Sequence, residues 1–317
     1  MTIRNRTSMW TAALYVLAGL CACHREDTSK RLIVIMVPSQ DNPFFKAEAD
    51  AAAARARSLG YRVRVDAHDD DAYRQDNLID AAFASNAAAI ILDNAGADSS
   101  IAAVRRATRA GIPCFLIDRE INTTGVAKAQ IVADNRQGAE IVAENFAEAI
   151  GPGGGDYVEL LGKESDTNAQ VRTAGFHAVI DKQSKLVRVA AQAANWSQSE
   201  AFQKTETMLQ AHPQIRGIIA GNDTMALGAL AAVKSEGREG IVITGLDGSP
   251  DAVAAIRAGE MRATSLQPAV EIARLAVDEA DRFLKTGSTG KPEMQIIPCI
   301  LVTQKNADDF SNFEKVR

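Results

Sequence analysis

Arg31-Leu-Ile-Val-Ile-Met-Val37 leads through Pro38-Ser-Gln-Asp-Asn42 into Pro43-Phe-Phe-Lys-Ala-Glu-Ala-Asp-Ala-Ala-Ala-Ala-Arg-Ala-Arg-Ser58. The first run is uninterrupted, apolar and rich in β-branched residues. It predicts a strand covered on both faces, as in a parallel sheet flanked by helices. The alanine-rich segment Phe44 to Ser58 predicts a helix stopped at Gly60, and Tyr61 to Val65 predicts the next strand. The alternation continues with strands expected near Ala89 to Leu92, Pro113 to Ile117, Asp156 to Leu161, Leu186 to Ala191, Gly217 to Ala220, Ile241 to Thr244 and Arg262 to Ser265. Strict βαβ order with right-handed crossovers predicts an α/β protein with doubly wound parallel sheets, whose ligands sit at the carboxyl ends of the strands.

A chain of 317 residues, 46% of them hydrophobic, is long enough for two domains. Its formal charge of -5 supplies no positive field for phosphate backbones, so nucleic acid is not an expected partner. The first 23 residues differ in kind: Arg4 and Arg6 precede an apolar stretch from Met9 to Ala22, which is the pattern of a signal peptide. That stretch falls short of the ~20 residues a membrane-spanning helix needs. Leu20-Cys21-Ala22-Cys23 resembles a bacterial lipobox, with Cys23, preceded by small Ala22, as the lipidation candidate and ordinary cleavage as the alternative. Either route places the mature chain outside the cytoplasm, in the periplasm or anchored to a membrane, with residues 24–31 as a polar tether. Only Cys114 and Cys299 remain beyond the leader, each in an apolar stretch (Ile112 to Ile117, Ile296 to Val302), and buried free thiols are the simpler expectation.

Run after run of apolar residues closes on polar groups: Gln40-Asp41-Asn42, Asp93-Asn94, Asp118-Arg119, Asn222-Asp223, Asp247 and Gln267. A single such residue is ordinarily a cap or a turn, and Asp98, Asp223 and Asp251 are read as helix caps. The recurrence predicts one polar cleft. Gly151-Pro-Gly-Gly-Gly155 precedes a strand and lacks the Gly-Lys-Ser/Thr ending of a phosphate loop. Histidines at 24, 68, 177 and 212 lack metal-ligand spacing, and the acidic run Asp66 to Asp71 is read as a solvated loop rather than a cation site. Neither a nucleophile elbow nor a catalytic cysteine signature occurs, so no catalytic residue, cofactor or metal is expected.

Asn42-Pro-Phe-Phe45 brings in a resemblance that covers Arg31 to Gln304. With residues 111–120, 133–135, 171–176, 221–230, 245–251 and 263–267, it resembles the D-ribose-binding group of periplasmic sugar-binding proteins, of the type I periplasmic binding fold. The resemblance implies two doubly wound lobes, 32–132 plus 268–297 and 133–267 plus 298–317. Three hinge crossings are implied near Val132 to Asp134, Ser265 to Pro268 and Pro298 to Ile300. It also implies that Asn42, Asn94, Asp118, Arg119, Arg172, Asn222, Asp247 and Gln267 meet sugar hydroxyls, while Phe44, Phe45 and Trp196 take the aromatic positions. Carboxylates that accept, guanidinium forks that donate and amides that do both suit hydroxyls, and aromatic faces suit the C–H surfaces of a sugar. Gln170, where that group commonly has arginine, and Trp196, where it often has phenylalanine, leave the particular sugar or sugar alcohol open. The implied role is capture for an ABC permease by a monomer, or presentation to a chemotaxis or sensor-kinase receptor. A repressor of related core would need a DNA-reading helix-turn-helix where the leader stands.

Overall fold

The computed structural model describes residues 31–316, so the leader, the lipidation candidate Cys23 and residues 24–30 lie outside the described residues. The chain begins with β1 (Leu32–Val37), α1 (Pro43–Ser58), β2 (Arg62–Ala67), α2 (Ala72–Ala84), β3 (Ala87–Leu92), α3 (Ile101–Arg109), β4 (Cys114–Ile117) and β5 (Ala129–Ala133). A second series follows: α4 (Asn135–Ile150), β6 (Gly155–Leu161), α5 (Thr167–Ile180), β7 (Leu186–Ala193), α6 (Gln198–Ala211), β8 (Gly217–Ala220), α7 (Asp223–Ser235), β9 (Val242–Thr244), α8 (Pro250–Arg257) and β10 (Ala263–Leu266). The last part comprises α9 (Ala269–Thr286), β11 (Met294–Ile297), β12 (Ile300–Thr303) and a short hairpin of β13 (Phe310–Ser311) with β14 (Glu314–Lys315).

The strands sort into two six-stranded sheets. The first, ordered β11-β5-β4-β3-β1-β2, is parallel throughout. All six residues of β1 are buried, as the opening apolar run predicts for a strand with neighbours on both sides and helices on both faces. The second sheet, β12-β10-β9-β8-β6-β7, is parallel except where β12 meets β10 antiparallel. That strand departs from the strictly parallel expectation for a geometric reason. β10 runs toward the junction of the two units, whereas β12 starts there, because only Pro298 and Cys299 separate it from β11 of the other sheet. The stretch Ile296 to Val302 is therefore two strands in two sheets. Pro298 has no N–H to offer a ladder and marks the break.

The chain passes between the units after β5, after β10 and after β11, and these crossings are stitched locally. Asp134 N donates to Ile297 O at 2.7 Å, and the Gln137 side chain pairs with both the N–H and the C=O of Cys299 at 2.9 and 3.2 Å. Each unit has apolar packing of the α/β kind. In the first, buried alanines of α1 (Ala49, Ala52, Ala53, Ala56) meet those of α9 (Ala269, Ala273, Ala276, Ala280), and small side chains let the two helices approach closely. The terminal hairpin seals the same region, with Phe313 packing edge-on against Phe44 at 5.5 Å between ring centroids. Cys114 and Cys299 are both buried and free.

Candidate ligand-binding site

Strands that end at the junction hand over to helices that begin there, so several polar strand-end residues serve first as helix caps. Asn42 Oδ1 accepts from Phe44 N at the start of α1 (3.0 Å), Asp166 Oδ1 from Asn168 N at α5 (2.9 Å), and Asn222 Oδ1 from Met225 N at α7 (2.9 Å). These caps satisfy otherwise orphaned N–H groups and fix the residues at the rim of one internal cavity. Asn222, not Asp223, is the α7 cap. Asp223 lies one residue inside, buried, with Oδ2 accepting from Ser249 N at 2.7 Å. Ser249 caps α8 in place of Asp251, and Ser100 precedes α3 in place of Asp98. In all three cases the helix starts one or two residues away from where an isolated aspartate suggests.

The cavity is small and is lined by residues of both units: Asn42, Phe44, Phe45, Asp118 and Arg119 on one side, Asp166, Asn168, Arg172, Trp196, Asn222 and Asp247 on the other, with Gln267 at a crossing. Of the residues that the resemblance places against the sugar, Asn94 alone does not line it, and the strand-end residues Gln40, Asp41, Asp93 and Asp223 also lie outside its lining. The Asn94 amide is consumed in place, donating to Arg119 O (2.7 Å) and Glu120 O (3.3 Å) and accepting from Gly96 N (3.0 Å), so it braces the Asp118-Arg119 loop from behind. Gln170 also stands apart, exposed and bonded to Glu164 O.

Two basic groups organise the walls. Arg172 donates to Asn135 Oδ1 (2.7 Å), Gly221 O (2.8 Å) and Asp247 Oδ1 (3.2 Å), and its guanidinium lies 5.3 Å from the Trp196 ring centroid. Gln267 Nε2 donates to the same Asp247 oxygen at 2.8 Å, while its buried Oε1 has no partner within the protein. Arg119, 3% exposed, sits 5.0 Å from the Phe45 centroid among four carboxyls: Asp70 (2.7 Å), Asp166 (2.8 Å), Asp93 (3.4 Å) and Asp118 (3.6 Å). Burial works against the Arg119 charge, yet these neighbours hold it protonated well above its ordinary range. Burial pushes Asp118 up to about 6 and Asp247 up to about 8, against the pull of Arg119 and Arg172 respectively. Asp70 goes the other way: Arg119 and Lys163 outweigh its burial and hold it below the ordinary carboxylate range. The acidic run is therefore not a solvated loop throughout, since Asp70 pairs with Arg119, Asp71 caps α2, and His68 is buried with Nε2 at 2.7 Å from Asp93 O.

Backbone strain gathers here as well. Asp118 (φ 58°), Trp196 (φ 64°) and Asp247 (φ 134°) all occupy positive-φ conformations that non-glycine residues rarely adopt, and each presents its side chain to the cavity. The Trp196 indole needs two glycines behind it. A Cβ on Gly162 would lie 2.0 Å from Trp196 Cη2, and one on Gly221 would lie 3.2 Å from Cζ3. The strand-end pattern misses Asp166 and Asn168 because four residues, Gly162 to Ser165, separate Asp166 from the end of β6. It also misses Glu48, which is fully buried on α1 with neither carboxylate oxygen bonded within the protein. Burial, then Asp93, raises its pKa well above the usual range.

Two α/β units hinged at three crossings, meeting over a small cavity whose groups match hydroxyls, define a two-lobed solute-binding protein. Comparison with known proteins agrees. The family described as "Periplasmic binding protein domain" matches residues 33–289. The D-apiose import binding protein of Paraburkholderia graminis is 52% identical over 304 residues, covering 96% of this chain and 97% of that protein. The one from Actinobacillus succinogenes is 54% identical over 283 residues, with coverage of 89% and 91%. Among solved structures, an ABC transporter periplasmic solute-binding protein from Actinobacillus succinogenes with bound D-allose aligns with a TM-score of 0.82 at 26% identity, covering 88% of this chain and all of that one. The chain belongs to the periplasmic binding protein family, and within it is an extracytoplasmic solute-binding protein of an ABC importer for small sugars or polyols.

Proposed function

We propose that this protein captures D-apiose, a branched five-carbon sugar, in the cavity between its two units and presents it to the permease of an ABC importer. The observation that carries the choice of sugar is the identity of 52% and 54%, nearly end to end, with two D-apiose import binding proteins. A small cavity walled by polar and aromatic side chains of both units supports a small polyhydroxylated ligand. In this reading Asn42, Asp118, Arg119, Arg172, Asn222, Asp247 and Gln267 meet the sugar hydroxyls. Phe44, Phe45 and Trp196 cover its apolar faces. Leaving one such buried group unpaired costs ~1–3 kcal/mol, which sets the discrimination between epimers.

The units 32–132 with 268–297 and 133–267 with 298–317 act as lobes that close about the three crossings, and ligand contacts from both sides favour the closed form by their differential affinity. The sugar is released unchanged, so no catalysis is involved. The mature chain acts as a monomer held at the membrane through lipid on Cys23. Titration calorimetry of the chain from Lys30 onward, against D-apiose, D-ribose, D-allose and myo-inositol, tests the ligand. Tightest binding to D-apiose is expected. Absence of D-apiose binding, or tighter binding of another member of the panel, overturns this choice of ligand.

A further inference from the structure

Three side chains of one segment, the β6–α5 loop and the first turn of α5, reach across the cleft. Lys163 Nζ lies 3.3 Å from Asp70 Oδ2, Asp166 Oδ2 lies 2.8 Å from Arg119 Nε, and Asn168 Nδ2 donates to Asp118 Oδ1 at 3.2 Å. On the opposite wall Asp70 and Arg119 already pair with each other at 2.7 Å. The loop therefore brings a cation to the anion and an anion to the cation, and the four charges alternate in sign along the chain Lys163, Asp70, Arg119, Asp166. Asp166 is also tied into its own unit. Its Oδ1 caps α5, and its Oδ2 both accepts from Trp196 Nε1 at 3.1 Å and faces Arg119. Asp166 and Arg119 are nearly fully buried, so solvent screens their attraction far less than that of an exposed pair.

The partners divide cleanly between the units. The α5 cap and the indole belong with Asp166 in the second unit, while Asp70, Asp93 and Asp118 belong with Arg119 in the first. Separation of the units leaves both sets intact and breaks the Asp166–Arg119 pair along with the Lys163–Asp70 and Asn168–Asp118 contacts. Resting on the sugar-binding reading above, we infer that Asp166 is a positioning residue that ties Arg119 of one lobe to Trp196 of the other in the closed form and thereby sets how long a captured sugar is held. A residue that acts only in the closed form changes the escape of ligand and not its entry, because entry starts from the open form.

Trp196 is the only tryptophan beyond the leader, so stopped-flow fluorescence reads the cleft directly. The test compares wild type with Asp166→Asn and Asp166→Ser, both of which retain an oxygen able to cap α5. With D-apiose as probe, dissociation is expected to quicken at least tenfold in both variants and at least as much in Asp166→Ser. Association should stay within about threefold of wild type, and the melting temperature without sugar should be unchanged. Wild-type dissociation in Asp166→Ser overturns the inference. So does a fall of several degrees in the sugar-free melting temperature with unaltered dissociation, which would make Asp166 a cap and nothing more. If wild type itself does not bind D-apiose, the ligand assignment fails separately, and the same variants are read with whichever of D-ribose, D-allose or myo-inositol it binds tightest.

Discussion

Replacement of Asp247 by asparagine isolates the charge of a cavity-wall carboxyl that burial pushes up to about 8. Its backbone sits at φ 134°, where alanine would add strain of its own, whereas asparagine keeps both the shape and the polar local bonding of aspartate. Arg172 (3.2 Å) and Gln267 (2.8 Å) both donate to Oδ1, so the amide oxygen of the variant can keep both bonds while its NH2 replaces Oδ2. Arg172 also retains Asn135 and Gly221 as acceptors, which keeps the fold intact. A ligand hydroxyl that donated to Oδ2 then meets another donor. Loss of a hydrogen bond to a charged group is worth ~1.5–3 kcal/mol, or about tenfold to a hundredfold in affinity. Because burial holds Asp247 at about 8, the wild-type carboxyl is largely neutral near pH 6 and charged near pH 9. The affinity ratio of wild type to Asp247→Asn should therefore widen as pH rises. Titration calorimetry with D-apiose at about pH 6 and about pH 9 measures it, with exposed Asp98→Asn as control. Wild-type affinity at both pH values in a folded variant would refute the placement of Asp247 against the ligand.

Other expectations concern packing behind the cavity and the stability of the sugar-free protein. Gly162→Ala places a methyl 2.0 Å from Trp196 Cη2, so the indole must move; affinity is expected to drop at least tenfold although no cavity-lining side chain has changed, and an unaltered Kd would show that the indole is not confined. Glu48→Leu removes a buried carboxyl without partners, whose burial costs ~1–3 kcal/mol; at roughly 2–4 °C per kcal/mol the melting temperature should rise by about 2–12 °C. A lower melting point would assign Glu48 a bonding role. Asp118 and Asp223, at about 6, and Asp247, at about 8, are all raised chiefly by burial from the ~4 of an unfolded chain. The folded state thus holds the extra protons between about pH 4 and pH 8, and sugar-free stability falls as pH climbs through that window. Urea titrations should show this decline in wild type and a shallower one in Asp247→Asn; equal slopes would contradict the assigned shifts.

Much of this molecule is legible in one dimension because its signals are local. The apolar run 32–37 can be satisfied only by covering both its faces, and the same logic repeated along the chain yields parallel sheets and strand ends that face one way. Asn42, Asp118, Asn222, Asp247 and Gln267 follow from that rule, since each closes an apolar run and each lines the cavity. The rule falters where a residue's role depends on what stands behind it. Asn94 obeys the strand-end pattern, yet spends its amide on the backbone of the neighbouring loop. Cap positions shift by a residue or two because where a helix begins depends on backbone geometry set by packing against the sheet.

The fold class and the strand-end polar groups of the cavity are readable from the chain alone, because hydrophobic period and strand-end chemistry are properties of neighbouring residues, whereas Arg172, Phe44, Phe45 and Trp196 come from the resemblance to sugar-binding proteins. Only the tertiary structure decided that Asp166 and Asn168 face Arg119 and Asp118 across the cleft, and that Asp70 joins them from a loop that reads as solvated. It alone decided that Glu48 is buried without a partner. The pairings among these residues join positions about 50 apart in the chain. They exist because two separately folded sheets bring their strand ends together, which no local pattern encodes.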